Sequence, residues 1–442
     1  MDDFRSIEEH MARDSRQSQL DTARRLFRTS MAAVLVLVCS CDRQSTGSSN
    51  VDEPKLREST QGRVYQRVLA ATPSCLDCGL EHRVRVTIAV EVEGALLPGL
   101  PWVHIDSRGR FVVAAIGAHS LLVFDSAGRF ERAIGGKGGG PGEFQSVGPS
   151  VVSAGDTIFV AAAARQINVY APSGVFVRQT TLQHTNVSCL PSTGNEFAPL
   201  ADGRLLVGSS VRTGDGVDHP ITLVDIGGRR LSGFGTENTS TAGSISCRAL
   251  VTNEETGSLW ASEPFGYRLE ELRPTADGSY QTVRQLGVRA PWFREGAEPL
   301  MSPEQLEADL ANAKVVIENT SPDTRPTRMV RSPAAALRNV RIDGMDRLWL
   351  AWSIPAPLWD TVQLPYAHPE EMTLSDEVND QLWHTVIDVV DTRSEQLLVR
   401  DTFPFRGHLA APGELVHPRY TSTGGIEVDV YRLYLKRRSA KR

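Results

Sequence analysis

The sequence contains few of the features that announce a function. No apolar run outside residues 31–38 approaches the length of a bilayer crossing, which excludes a helical membrane bundle. Basic residues are in deficit, 47 Lys and Arg against 53 Asp and Glu for a net charge of −6, so the electrostatic footprint of a nucleic-acid binder is missing. There is no HExxH, no GxSxG and no regular His/Asp spacing of a metal site. Phosphate-loop patterns are also missing: Lys137 is followed by Gly138 rather than Ser or Thr, and no GxGxxG follows a strand of a βαβ unit. Nothing in the chain points to a cofactor.

Cysteine is scarce too, with six residues in 442, and two of those fall near the N-terminus. Arg24, Arg25 and Arg28 precede the apolar run Met31 to Val38, which is too short to span a bilayer and suits an export signal, with Met11 a second possible start. Val38-Cys39-Ser40-Cys41 then resembles a bacterial lipobox, which implies cleavage before Cys41 and lipidation of that residue. Residues 1–40 read as the leader and 41–62, rich in Ser, Thr, Gly and charge, as a tether with too little apolar content to fold. The expected location is the bacterial cell envelope, with the membrane reached through the lipid.

Cys75, Cys78, Cys189 and Cys247 remain, an even number in an exported chain. Cys75-Leu76-Asp77-Cys78 lacks the βαβ surroundings of a redox motif, and Gly79 stands where haem attachment needs histidine, so a local disulfide is expected. A zinc site would add His82 and a distant fourth ligand. Cys189 and Cys247 are candidates for a second bridge, although sequence does not set connectivity.

What the chain does have is a repeat. HSLLVFDSAGRF, from His119, recurs as RQINVYAPSGVF, from Arg165, with alternating apolar residues and Gly128 matched by Gly174. Turns at Asp106, Gly155, Asp202, Glu255 and Asp343 mark five units, with steps of about 49, 47, 53 and 88 residues. The period predicts an all-β chain, a β-propeller over residues 63–438. Six blades result if Arg83 to Val92 joins strands from Gly413 to Tyr420 and Glu427 to Leu435, closing the ring and removing an open edge. The long step contains MSPEQLEADLANAKVVIE, Met301 to Glu318, where Ser302 as cap and Pro303 in the first turn predict a helix within an insertion 291–331, between blades 4 and 5. A second insertion, 355–382, carries Trp359, Tyr366 and His368.

Between the two repeat copies lies GGKGGGPGEF. Gly135, Gly136, Gly138, Gly139, Gly140 and Gly142 permit positive φ, Pro141 stiffens the crossing, Glu143 can accept backbone hydrogen bonds, and Phe144 offers an apolar plug between blades. This motif, with Asp156 to Val160 and RQINVYAPSGVF, resembles NHL-type repeats and the six-bladed β-propeller lipoproteins of bacteria, most clearly from Pro101 to Thr181. NHL repeats often place Asp after the second strand; here Ala161 to Ala164 stand instead.

The resemblance implies architecture rather than activity. Three functions fit it: a binding scaffold for a protein, peptide or glycan, with insertion 291–331 shaping the recognition end; a metal-dependent hydrolase of gluconolactonase-like type, or a lyase, with its metal in the channel; or a structural envelope lipoprotein. Candidates for a polar cluster are His104, His119, His184, His219, Asp106, Asp202 and Asp343, each aspartate having the plainer role of capping its own turn.

Overall fold

The computed structural model describes residues 64–437 apart from 91–100, 184–194, 209–218, 236–247, 293–313, 319–326, 358–379 and stretches of five residues or fewer. Cys41, His184, Cys189, Cys247, Trp359, Tyr366 and His368 lie outside the described residues. The chain enters through two strands, β1 (Tyr65–Leu69) and β2 (Cys78–Val90). Cys75 and Cys78 are joined by a disulfide immediately before β2. Blade 1 follows as β3 (Trp102–Ile105), β4 (Phe111–Ala115), β5 (Ser120–Phe124) and β6 (Phe130–Ile134). Blade 2 is β7 (Ser150–Val152), β8 (Ile158–Ala163), β9 (Gln166–Tyr170) and β10 (Phe176–Thr181). Blade 3 is β11 (Phe197–Pro199), β12 (Leu205–Val207), β13 (Ile221–Val224) and β14 (Arg230–Phe234).

Blade 4 comprises β15 (Ala249–Thr252), β16 (Leu259–Ser262), β17 (Arg268–Pro274) and β18 (Tyr280–Val288), with β1 added in parallel on the outside as a fifth strand. A two-stranded hairpin, β19 (Lys314–Glu318) and β20 (Thr327–Arg331), precedes blade 5. That blade is β21 (Ala336–Ile342), β22 (Arg347–Pro355), β23 (Trp383–Asp391) and β24 (Gln396–Phe403). Blade 6 is β25 (His408–Ala411), β26 (Glu414–Tyr420) and β27 (Ile426–Arg437), completed by β2, which pairs antiparallel with β27 from Val90↔Ile426 to Cys78↔Arg437. The fold is a six-bladed β-propeller, and the expected pairing of an N-terminal strand, β2, with the last strand, β27, is how its ring is sealed.

One sequence expectation fails. The helix predicted over Met301 to Glu318 gives way at its end to β19, which pairs with β20 from Lys314↔Arg331 to Glu318↔Thr327. The run Lys-Val-Val-Ile-Glu is dominated by β-branched side chains, whose restricted χ1 suits a pleated ladder better than a helix. Residues 301–313 lie outside the described residues.

Six apolar clusters hold the blades together, one at each seam. Alternate residues of a strand face opposite neighbours: Val112 and Ala114 of β4 pack toward blade 2, whereas Phe111 and Val113 pack toward blade 6. Leu348, Leu350 and Trp352 of β22 likewise face blade 4, and Trp349 and Ala351 face blade 6. Inner strands are thus covered on both faces and read as continuous apolar runs, while outer β10 has only one residue buried, Thr180.

A recurring side-chain device shapes the hairpins. In Asp106, Asp125, Asp225 and Asp343, Oδ1 accepts from the backbone N–H groups two and four residues on, and Oδ2 accepts from Nε of the arginine four residues on, at 2.7, 2.7, 3.0 and 2.8 Å. The fourth turn residue is left-handed, and it is glycine in three copies: Gly109, Gly128 and Gly228. Asp346 holds that place in the last copy at φ +60°, where its carboxylate reaches Asn253 of blade 4 and Arg393.

Candidate functional site

Strands within a blade alternate in direction, so the turns after the first and third strands lie on one rim and the remaining connections on the other. The inner strands β3, β7, β11, β15, β21 and β25 surround a central channel, with β25 returning against β3. Where these strands end, at the turn rim, the channel holds a cavity of about 410 Å³ walled by all six.

The penultimate residue of each inner strand faces this cavity: His104, Val151, Ala198, Val251, Arg341 and Ala410. Four are apolar and two are not. The small Ala410 belongs to blade 6, between blades 5 and 1, and across it Arg341 Nη2 reaches His104 Nδ1 at 3.1 Å. An arginine can only donate, so Nδ1 accepts and the neutral imidazole carries its proton on Nε2. Among the described residues that Nε2 is buried without a partner, a donor whose loss of water costs about 1–3 kcal/mol.

Burial drives the electrostatics of the pair. Desolvation holds the His104 imidazole well below its ordinary value, helped by the charge of Arg341 and by His408, so the ring is neutral at pH 7. Desolvation likewise pushes the Arg341 guanidinium down to about 10. Among the described residues no carboxylate lies within ion-pair distance of Arg341; its other hydrogen bond goes to its neighbour's carbonyl, Val340 O, at 3.4 Å. His408, at the start of β25, accepts from the Val103 N–H through Nε2 at 3.1 Å and is pushed down to about 3, first by burial and then by Arg341.

The carboxylates at the mouth are already engaged. Burial works to raise the Asp343 carboxyl, but hydrogen bonds from Trp349 Nε1, from the Arg347 and Met345 N–H groups and from the Arg347 guanidinium outweigh it and leave it below its usual range. Asp346 is held by Asn253 and Arg393, and only Glu255 stands exposed at the edge. Among the described residues the cavity therefore combines apolar walls, two engaged aspartates, an exposed Glu255 and one arginine without a counter-ion.

Of the polar-cluster candidates among the described residues, the structure brings His104 and Asp343 to the channel, where the turn residue Glu255 joins them, and places Asp106, Asp202, His119 and His219 elsewhere. Asp106 and Asp202 cap their own turns through Arg110 and Arg204. His119 immediately precedes β5 at φ +52°, and His219 lies beside Gly233, just before β13. His82 sits edge-on to the rings of Phe403 and Tyr431. Among the described residues no three His, Cys, Asp or Glu side chains converge to hold a metal, and no helix is long and apolar enough to cross a membrane. The glycine-rich segment serves the seam between blades 1 and 2: the Phe144 N–H bonds Gly136 O, Glu143 Oε2 accepts from the Gly140 N–H at 2.7 Å, and Phe144 is fully buried. The residue missed in the sequence is Arg341. Its signal was there, a charge at the inner-strand position where most other units carry an apolar residue.

Residues 105–202 match the model of a family described as 6-bladed beta-propeller, overlapping the stretch that carries the sequence resemblance. No curated protein matches the chain. Among solved structures, a protein described as exported from Bacteroides fragilis is 11% identical with a TM-score of 0.48, over 84% of this chain and 100% of that one. A member of the DUF4221 family from Bacteroides vulgatus is 10% identical with a TM-score of 0.48, covering 81% and 99%. Virginiamycin B lyase from Staphylococcus aureus is 10% identical with a TM-score of 0.39, covering 80% and 100%. At this level of likeness neither ligand nor chemistry transfers.

Proposed function

We propose that the chain is an exported, membrane-anchored β-propeller that works as a binding scaffold, taking a protein, peptide or glycan ligand at the turn-rim mouth of its central channel. The observation that carries this reading is the cavity of about 410 Å³ built from one strand of every blade, within the size range of ligand pockets, with apolar walls and a few convergent polar groups. The basic and apolar leader ahead of Cys41 supports export and lipidation.

Much of insertions 291–331 and 355–382 lies outside the described residues, and their described ends leave the blades at the far rim. Pro355 pairs with Trp383 at the end of the blade opposite the Asp343 turn, and β18 leads to β21 at that same far rim. The described cavity is what supports the proposed recognition at the turn rim.

The test fills the channel. Ala411 lines the cavity at the end of β25, and Ala411→Trp places an indole there. Thermal shifts of the wild-type and Ala411→Trp chains are compared over panels of peptides and oligosaccharides. A ligand that raises the melting temperature of the wild type alone supports the channel. Ligands that act on both alike, or a panel with no effect, overturn it.

A further inference from the structure

We propose that Arg341 and His104 form a seat for a single carboxylate, carried into the channel by a ligand with an apolar body. The inference rests on the channel being the ligand site and says what that site selects.

Arg341 and His104 both line the cavity. The guanidinium has no carboxylate within ion-pair distance among the described residues, and the His104 ring beside it keeps a buried, unpartnered Nε2–H. One carboxylate offers an oxygen to each, and charge-assisted hydrogen bonds to arginine are among the strongest available in such a setting. Desolvation has already been imposed on both groups by the fold, so the seat is preorganised.

Charge counting sets the valence of the ligand. Asp343 is matched by Arg347 and Asp346 by Arg393, His104 is neutral, Glu255 stands exposed at the edge, and Arg341 carries a positive charge that no carboxylate meets within ion-pair distance among the described residues. A monoanion balances it. A dianion such as phosphate leaves a surplus negative charge in a mouth lined by Asp343, Asp346 and Glu255. Val151, Val251, Phe197 and Ile342 supply the apolar wall facing the rest of the ligand. A free organic acid and the C-terminus of a hydrophobic peptide share this chemistry.

The experiment titrates the full chain by calorimetry with phenylbutyrate, its amide, inorganic phosphate, and a hydrophobic tripeptide with a free or an amidated C-terminus. The expected result is binding of the acid and the free tripeptide, with both amides and phosphate weaker by at least about tenfold, the scale of one charged hydrogen bond. Tighter binding of the tripeptide than of phenylbutyrate assigns the seat to a chain end, and the reverse order to a small acid. Arg341→Met is expected to lose at least about tenfold in acid affinity, with its fold checked by thermal melting because the substitution also leaves His104 Nδ1 without its donor. His104→Phe is expected to weaken binding and His104→Gln to retain it. Should Arg341→Met fail to fold, Arg341→Lys keeps the charge without the planar fork and is expected to show an intermediate loss.

Equal binding of acid and amide, unchanged acid binding in the Arg341 variants, tightest binding of phosphate, or no binding of either acid overturns the proposal. The two readings fail separately. Another ligand blocked by Ala411→Trp but indifferent to Arg341→Met leaves the channel standing and removes the carboxylate seat. Acid binding that survives both substitutions removes both.

Discussion

The ring of Phe144 occupies the space where a side chain on Gly135 would have to go: a Cβ built there would collide with it, and Gly135 is also left-handed at φ +80°. Phe144 in turn is fully buried in the apolar seam between blades 1 and 2. Gly135→Ala should therefore combine backbone strain with overpacking, at about 2–4 kcal/mol. Phe144→Ala should cost about 3–5 kcal/mol by opening a cavity. Gly136, with nothing within 4 Å of its Cβ position and no positive φ, is the control, and Gly136→Ala should be close to neutral. Urea unfolding of the three variants checks the order; equal losses at Gly135 and Gly136 would remove the steric account.

The contrast between these two glycines shows which part of the fold can be read from sequence. Turn chemistry and apolar periodicity are local, so the hairpins at Asp106, Asp125 and Asp343 are visible as patterns in the sequence. β1 was not, because Tyr65–Leu69 is exposed at four of five positions and its place is set by parallel pairing with a strand more than 200 residues away. β19 was misread because a capping signature at Ser302 was extended across a β-branched run. The channel pair was hidden for another reason. His104 and Arg341 are 237 residues apart, and either is an ordinary polar residue until six inner strands are superimposed and the penultimate position of each is seen to face one cavity.

The seam between blades 4 and 5 carries a buried polar network beside its apolar cluster. Arg400 grips Asp388 through Nε and Nη2 at 2.8 and 2.9 Å, and the Tyr267 hydroxyl donates to the same carboxylate from blade 4. Burial and the charge of Asp388 push the Tyr267 phenol well above its ordinary value, so it remains a donor. Asp388 is fully buried, and Asp388→Ala strands the arginine; a loss of about 3–5 kcal/mol is expected. The double change Asp388→Leu with Arg400→Met should recover much of that loss, because no buried charge remains. Denaturant midpoints of the single and double variants decide the matter, and a double variant weaker than the sum of the singles would contradict it.

Acid should destabilise the propeller through its channel histidines. His408 titrates near 3 when folded and near 6.5 when unfolded, with Arg341, Arg338 and Arg406 adding to the effect of burial, and His104 is shifted in the same direction. Both rings are neutral in the fold, so below pH 6.5 the unfolded chain binds more protons. Stability contributed by each is complete above 6.5 and is lost as pH falls toward the folded value, on the order of 1.4 kcal/mol per pH unit for His408. His408→Gln keeps an acceptor for the Val103 N–H and removes the titration. Its melting temperature should fall less than that of wild type between pH 7 and pH 4.5; parallel curves would show that the histidines are not responsible.

The N-terminal segment does more than close the ring, since residues 65–90 run across three consecutive blades. β1 pairs with β18 of blade 4, the Ser74 N–H then bonds Leu397 O of blade 5 and Ala71 O accepts from Arg400, and β2 completes blade 6. Leu69, 3% exposed, is the one residue of β1 buried in the seam between blades 4 and 5. The two strands should therefore fail differently. Leu69→Ala should cost about 2–5 kcal/mol yet leave the ring intact, because the β2–β27 ladder is untouched. Deleting 64–90 removes both that anchor and the outer strand of blade 6, exposing the edge of β27 with its unpaired backbone groups, so cooperative unfolding should disappear and self-association begin. Sedimentation and thermal melts separate the two outcomes. A truncated chain that melts cooperatively as a monomer would mean that the blades hold their ring without being sealed.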